Sequence, residues 1–277
     1  MQGDLIGKFH ETPFVTIITV VFNGSSHLEE AILSVLNQSY YNIEYVIIDG
    51  GSTDATLDII KKYDKKIDYW ISEPDKGIYD AMNKGIHLAT GRIIGLVNAD
   101  DYLNSGIVEK IAHCFVSNPE IGFTYGSVDL IRESGKVYGK TNPFPDDEIY
   151  SKRFHDIPFA HPSCFILKSV YNQIGLYDTN FPLSADYDLI LRMIGSGFRG
   201  KNLHLSVSRF REGGKSGGLK SRIENLRMHK KHGLNFFFRN KIFLSSVIKL
   251  VVVNIIPYRF TIFIKRFRKK SRHDFII

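Results

Sequence analysis

Two groups of carboxylates stand where this chain could do chemistry. In "GRIIGLVNADDYL", residues 91–103, an apolar run stops abruptly at Asn98, Ala99, Asp100 and Asp101. In "LSADYDLILRM", residues 183–193, Asp186 and Asp188 precede Leu189, Leu191 and Met193. A carboxylate at the end of a buried run is expensive unless it meets a cation or a solvent-filled cleft. Paired acids with open coordination positions suit a hard divalent cation, Mg²⁺ or Mn²⁺, that also bridges to substrate phosphates. Helix capping is the competing reading. Asp100 or Asp101 could open the next helix, and Asp186 could sit in a first turn favoured by the helix dipole.

Other polar groups fall at similar boundaries. "IIDGGS" carries Asp49 before Gly50 and Gly51, a pair that permits either close approach of a flat ligand or a tight turn. An acid there can accept from a base N–H or a ribose hydroxyl. In "EPDKGIYDAMNKG", Asp75 and Lys76 precede Asp80, Asn83 and Lys84, which at i, i+3 and i+4 share one helix face. "HDIPFAHPSCFILK" holds His161 beside Pro162. "FREGGKSGG" sets Arg211, Lys215 and Ser216 among glycines, where basic groups on flexible backbone could close over a diphosphate. Zinc-type Cys/His spacing and a P-loop are both missing from the sequence.

The elements that must position these groups are legible as alternation. Strands are expected at "FVTIITVVFN", "IEYVIIDGG", "IDYWIS" and "RIIGLVN". Between them lie helical patterns: "SSHLEEAILSVLNQ" capped by Ser25 or Ser26, "STDATLDIIKKY" opened by Ser52 or Thr53, and "KGIYDAMNKGIHLAT". Such alternation implies an α/β fold, a mostly parallel sheet with helices on both faces. Ligands then bind beyond the carboxyl ends of the strands, on a rim carrying Asn23, Asp49 and the cluster Asn98–Asp101. Further on, "SGIVEKIAHCFVSNP" reads as a helix and "IGFTYGSVDLIRESGKVYGK" as two strands turning at "ESG". Residues 142–162 read as an irregular active-site loop. "SCFILKS" reads as a strand, "SVYNQIG" as a short helix, and "ADYDLILRMIGSG" as a helix ended by glycine.

Charge divides the chain. Through Ser208 there are 18 Lys+Arg against 26 Asp+Glu, and from Arg209 onward 18 against 3, so a balance of −8 is followed by one of +15. A basic segment of that kind expects an anionic partner. The segment 234–277 mixes aromatic and aliphatic residues with basic ones. Its longest mostly apolar run, Ile242–Ile256, falls short of the roughly 20 residues a bilayer span needs. A helix lying in the membrane interface fits it better, with "KRFRKK" against anionic headgroups; packing on the core is the alternative. Nucleic acid is not the expected partner, because the aliphatic runs favour lipid. Cys114 and Cys164 suit reduced, buried thiols. The first residues carry no signal-peptide pattern.

Taken in order, "VTIITVVFN", "VIIDGGSTDATLDII", "EPDKGIYDAMNKGI" and "ATGRIIGLVNADDYL" resemble family 2 glycosyltransferases of the GT-A fold, of the bacterial surface-polysaccharide type. The resemblance runs from Phe14 to about His232. It implies a GT-A domain over 1–233, nucleotide-binding over about 14–103 and acceptor-binding over 104–233, followed by the basic segment 234–277.

By this resemblance "NADD" matches the metal-binding Asp-x-Asp motif, with Asn98 in place of its first acid. Asp100 and Asp101 are then the metal ligands, and Mn²⁺ or Mg²⁺ the cofactor. Phe22 and Asn23 match the pocket floor and Asp49 a base or ribose contact. Asp75, Asp80, Asn83, Asn98 and Asp101 complete the nucleotide-sugar site. Asp186 matches the general base that deprotonates the acceptor hydroxyl, a poor nucleophile without help. His161, Asp188, Arg211 and Lys215 are expected at the acceptor or the diphosphate, with a structural or orienting role the other reading of Asp188. The Q-x-x-R-W element of processive synthases is missing, which points to one sugar per cycle.

The expected reaction is inverting transfer from a UDP-sugar to a polyprenyl-diphosphate-linked saccharide. It is expected at the cytoplasmic face of the inner membrane, in O-antigen, lipopolysaccharide, capsule or exopolysaccharide assembly. A catalytically inactive nucleotide-sugar-binding protein and a nucleic-acid-binding protein are the rival readings.

Overall fold

The computed structural model describes residues 12–211 and 218–255, with side chains through 248. Lys215 and the terminal basic run therefore lie outside the described residues. The chain divides into two compact units, Met1–Gly214 and Lys215–Ile277.

The first unit begins with four strands in parallel: β1 (Val15–Val21), β2 (Ile43–Asp49), β3 (Tyr69–Ser72) and β4 (Ile93–Asn98), in spatial order β3-β2-β1-β4. Every residue of β1 is buried. That is why its sequence is a continuous apolar and β-branched run and not an alternation: both faces are covered. Its two threonines are satisfied internally, Thr16 by Glu44 at 2.5 Å and Thr19 by the Tyr45 hydroxyl at 3.0 Å. The connecting helices are α1 (Leu28–Leu36), α2 (Thr56–Lys62) and α3 (Ile78–Leu88). In α3, Gly85 lies against Ile18 of β1 so closely that any side chain at 85 would collide with it.

The second half of the sheet is mixed. β8 (Phe165–Leu167) runs antiparallel to β4, and β6 (Ile121–Ile131) antiparallel to β8. β9 (Arg199–Arg211) runs parallel to β6, β5 (Tyr102–Leu103) antiparallel to β9, and β7 (Val137–Lys140) forms a hairpin with β6. The parallel expectation thus holds for β3-β2-β1-β4, and the α/β class holds throughout. Four further helices belong to this unit: α4 (Ile107–Ser117), α5 (Ile149–Lys152), α6 (Lys168–Ile174) and α7 (Ala185–Gly195). The expected irregular loop contains α5 and a 3₁₀ turn, His161–Ser163.

Three sequence expectations are corrected. Neither Ser25 nor Ser26 caps α1, which starts at Leu28 with its first N–H groups donated to the Gly24 carbonyl. Neither Ser52 nor Thr53 opens α2, which starts at Thr56. Both loops use their polar groups on each other, as described below. Residues 210–211, expected in a flexible loop, end the 13-residue strand β9. That strand, RGKNLHLSVSRFR, has no apolar run to announce it.

The second unit contains α8 (Leu219–Lys231) and α9 (Phe236–Ile255), joined by a short turn in which Leu234 N–H donates to His229 O. The two helices pack together, so α8 groups with α9 and the division falls before α8, not at residue 233. Gly233, in the left-handed region at φ +77°, marks a helix end inside this unit. Among the described residues no helix is long and apolar enough to cross a membrane.

Candidate active site

Strand register builds the rim. Val21 at the end of β1 lies beside Asp49 at the end of β2, and Val20 lies beside Asn98 at the end of β4. The polar ends Asp49 and Asn98 therefore flank the end of β1.

Asp49 is wholly buried. It accepts from Ser52 Oγ (2.5 Å), Ser72 Oγ (2.6 Å), and the N–H groups of Ser52 (3.0 Å) and Gly51 (3.2 Å). Four donors are what a carboxylate removed from water requires. The expected base or ribose contact is corrected accordingly: the Asp49 carboxylate faces inward and shapes the turn at Gly50–Gly51.

That turn is clasped to the loop after β1. Asn23 N–H donates to Ser52 Oγ (2.7 Å), Gly24 N–H to Thr56 Oγ1 (3.0 Å) and Ser25 N–H to Asp54 Oδ2 (3.1 Å). In return Thr53 N–H donates to Asn23 Oδ1 (2.8 Å). Hydrogen bonds, the Thr56 hydroxyl's first, hold the Asp54 carboxyl below the usual range. Asn23 adopts φ +51°, which its short polar side chain tolerates. With Asn23 occupied in this way, Phe22, 63% exposed, is the open apolar group of this loop.

The loop between β3 and α3 forms the adjoining wall. Glu73 N–H donates to Asp49 O (3.0 Å), which brings the loop over the Gly50 turn. There the Asp75 carboxylate occupies the space a β-carbon at residue 50 would fill, while Oδ1 accepts Gly77 N–H (2.7 Å). Asp80 accepts Lys76 N–H (3.0 Å), and Lys84 donates to Pro74 O (3.1 Å) and pairs with Glu73 (2.8 Å). Asp80 therefore braces this loop. Asn83 is corrected as a ligand group. Its amide is spent on the Tyr177 backbone, donating to Tyr177 O and accepting Tyr177 N–H, both at 2.9 Å.

In "NADD" the two acids separate. Asp100 is exposed, whereas Asp101 is 1% exposed. Asp101 accepts Asn98 Nδ2 (2.9 Å) and Arg211 N–H (3.1 Å), and its own N–H donates to Asn98 O (3.1 Å), closing a turn. Burial first, and the neighbouring Asp100 second, push its carboxyl up to about 7. Asp101 and Asn98 are thus corrected from ligand-facing groups to the frame that presents Asp100.

Arg211 completes the frame. Only 4% exposed, it donates to the carbonyls of Asp100 (3.4 Å), Arg132 (3.3 Å) and Glu133 (2.8 Å), and pairs with Glu30 (2.6 Å). The expectation that it meets a diphosphate is corrected: its guanidinium is consumed in joining β9, α1 and the β6–β7 turn.

The second acid pair also separates. Asp188 is fully buried and pairs with Arg192 Nε at 2.7 Å; Arg192 in turn donates to the carbonyls of Ile174, Gly175 and Leu176. Asp188 is a structural ion pair, the other of its two readings, and is not an acceptor contact. Asp186 stays half-buried and accepts Tyr79 Oη (3.0 Å) and Tyr187 N–H (2.9 Å), both on Oδ1. Around it, Tyr79 stacks on Tyr177 at 5.5 Å, and the Tyr177 hydroxyl meets His161 Nε2 at 2.6 Å. Burial lowers the His161 imidazole below its ordinary value, and the nearby Asp186 charge opposes that in part. His161 thus lines the Asp186 neighbourhood through Tyr177.

Residues 16–175 match the family model described as Glycosyl transferase family 2. The chain belongs to glycosyl transferase family 2. It is 32% identical over 183 residues to an uncharacterized glycosyltransferase of Mycobacterium tuberculosis, covering 65% of this chain and 68% of that one. It is 28% identical over 216 residues to a PGL/p-HBAD biosynthesis glycosyltransferase of Mycobacterium bovis, covering 76% and 80%. Among solved structures, residues 1–349 of S. aureus TarS superpose with a TM-score of 0.62 at 16% identity, over 87% of this chain and 73% of that one. The mannosyltransferase PcManGT of Pyrobaculum calidifontis, solved with GDP-Man and Mn²⁺, gives 0.58 at 14% identity, over 96% and 82%. The fold is GT-A.

In this family 2 glycosyltransferase the open groups on the rim are Phe22, Asp75 and Asp100, with Asp186 beyond α3. Among the described residues no cluster of three His, Cys, Asp or Glu could hold a metal. A Mg²⁺ or Mn²⁺ ion that takes one carboxylate and completes its shell with diphosphate oxygens and water still fits an exposed Asp100. Sequence reasoning missed Tyr79, Tyr177, Ser52 and Ser72. The dense Ser/Thr/Asp run "GSTDAT" was the available signal for Ser52. Tyr79 and Tyr177 gave none, because an aromatic residue in an amphipathic pattern reads as core.

Proposed function

We propose that this glycosyltransferase moves one sugar from a nucleotide sugar, UDP-linked, to a hydroxyl of a saccharide carried on a polyprenyl diphosphate. The setting is the cytoplasmic face of the inner membrane, and the product belongs to bacterial O-antigen, capsule or exopolysaccharide assembly. TarS has been solved with UDP and with UDP-GlcNAc, and PcManGT with GDP-Man and Mn²⁺, which supports a nucleotide-sugar donor.

The observation that carries the reaction is the state of Asp186. Both of its protein hydrogen bonds fall on Oδ1. Among the described residues Oδ2 has no donor, so it is the atom that takes a proton from an acceptor hydroxyl. Tyr79, its partner, follows directly on the loop that carries Asp75, which supports a base adjoining the donor wall.

The donor lies along Phe22, the Gly50 turn and Asp75 towards Asp100. Asp100 would hold the divalent cation, which when bound would neutralise charge on the leaving nucleotide. As Oδ2 removes the proton, the acceptor oxygen bonds to the anomeric carbon from the face opposite the diphosphate. The bond to the diphosphate oxygen breaks, and the centre inverts. His161 and Tyr177 border the acceptor side.

The second unit supplies the membrane contact. On α9, Phe236, Phe237, Phe238, Leu244 and Ile248 are exposed, interspersed with Arg239 and Lys241. Apolar and basic side chains on one exposed helix suit an interface of anionic headgroups.

The deciding experiment measures nucleotide release from UDP-glucose, UDP-galactose, UDP-GlcNAc and GDP-mannose, with Mn²⁺ or EDTA, with and without a short-chain lipid diphosphate saccharide. Release that needs metal and Asp100 and rises with acceptor is expected. Release unaffected by Asp100→Ala and by EDTA would remove the metal from the proposal.

A further inference from the structure

Tyr79 lies where two functions meet. It is the second residue of α3, directly after the loop whose Asp75 covers Gly50, and its hydroxyl reaches Asp186 Oδ1 at 3.0 Å. Its ring is almost wholly buried and stacks on Tyr177 at 25° between planes. Tyr177 is itself fixed from two sides, by the Asn83 amide on its backbone and by His161 on its hydroxyl. The Tyr79 hydroxyl is thus carried on a rigid stack that belongs to the donor-side helix.

The Asp186 carboxylate has two χ angles to settle and sits in the first turn of α7, half open to solvent. The backbone of the next residue fixes one bond, from Tyr187 N–H to Oδ1. A single bond of that kind still leaves the plane of the carboxylate free to rotate. The Tyr79 hydroxyl, arriving at the same oxygen from another element, fixes the plane and leaves Oδ2 directed away from both donors.

We propose that Tyr79 is a positioning residue for the reaction, acting through Asp186. It holds Oδ1 so that Oδ2 is presented to the acceptor hydroxyl, and it ties that presentation to the helix that follows the donor loop. The inference rests on Asp186 being the base. Tyr79→Phe is the informative change, since it keeps the ring and the Tyr177 stack and removes one oxygen.

Two cycles with Asp186→Ala test it. In urea unfolding of the full chain, the losses from Tyr79→Phe and Asp186→Ala sum to more than the double variant loses, because the second change removes a partner already gone. In nucleotide release from the best donor of the panel above, Tyr79→Phe lowers kcat about ten-fold, the scale of one hydrogen bond to a charged group. The donor KM stays within about two-fold, and the change has no further effect on the residual rate of Asp186→Ala. Strictly additive stabilities would overturn the proposal. So would a raised KM at unchanged kcat, or an equal loss of rate in the Asp186→Ala background. Failure of the base assignment looks different: Asp186→Ala itself would then keep the wild-type kcat while the stability cycle still showed coupling.

Discussion

The Asp75 carboxylate fills the space that a β-carbon on residue 50 would need. A glycine just after β2 is therefore what lets a carboxylate from another loop stand over the floor of the proposed donor site. Gly50→Ala displaces Asp75 and moves the wall that residues 73–77 form. The donor KM rises about ten-fold or more, corresponding to roughly 1.4 kcal/mol of binding, while the melting temperature changes little. Equal KM for Gly50→Ala and wild type would mean Asp75 is not part of the donor wall.

Asp100 and Asp101 separate in two different assays. Asp100→Ala abolishes metal-dependent nucleotide release and leaves stability unchanged, since an exposed carboxylate supports nothing around it. Asp101→Ala leaves Asn98 Nδ2 and Arg211 N–H without an acceptor inside the fold. That costs about 1–3 kcal/mol of unfolding free energy, read as a lower urea midpoint.

Arg211→Lys is expected to behave as a stability change. A lysine ammonium cannot reach Glu30 and three carbonyls at once as the planar guanidinium does. The melting temperature falls by several degrees, about 1–3 kcal/mol, with the donor KM within about two-fold. A raised KM at full stability would return Arg211 to the diphosphate.

His161 makes stability depend on pH. Its folded imidazole is lowered below the ordinary value, so below about pH 6.5 the unfolded chain binds a proton that the fold resists. Stability from this group is complete above that pH and is lost as pH falls towards the folded value. His161→Gln, which keeps a partner for the Tyr177 hydroxyl, flattens the difference in urea midpoint between pH 7.5 and pH 5.5. Comparison with the variant cancels Asp101, whose upward shift acts in the opposite sense.

Phe236, Phe237 and Phe238, 62%, 81% and 57% exposed, are expected to carry membrane contact. Replacing all three by serine in the full chain weakens sedimentation with vesicles of phosphatidylglycerol and phosphatidylcholine by more than ten-fold, since burying one such ring is worth about 1.5–3 kcal/mol. Undiminished binding would take α9 out of that role.

The parallel half of the sheet was legible because β1, β2 and β4 are buried on both faces and announce themselves as apolar runs. Their register then placed Asn98 and Asp49 on either side of β1, as the pattern implied. β9 stayed hidden because it alternates polar residues along an irregular pairing with β6. At the site, the sequence located the acids but not their directions. Asp49 and Asp101 turn inward on donors that include Ser72 and Arg211 from distant elements, whereas Asp188 turns inward on Arg192, one turn on in its own helix. That i,i+4 spacing was legible, and the partners of Arg211 were not. Asp100 and Asp186 are what remains after those pairings are made.

The clasp between the loops after β1 and β2 also limits how this protein can diverge. Asn23, Gly24 and Ser25 are bonded one by one to residues 52–56, so a residue inserted in either loop would break the match unless the other changed with it. The floor of the proposed donor site is therefore inherited as a matched pair of segments. The stretch from 142 to 158 is instead anchored at a few points, Phe144, Asp146 and Arg153, to β6, β9 and α7, and not residue by residue to a second loop. New acceptor preferences have a place to arise in a chain whose donor chemistry is held constant.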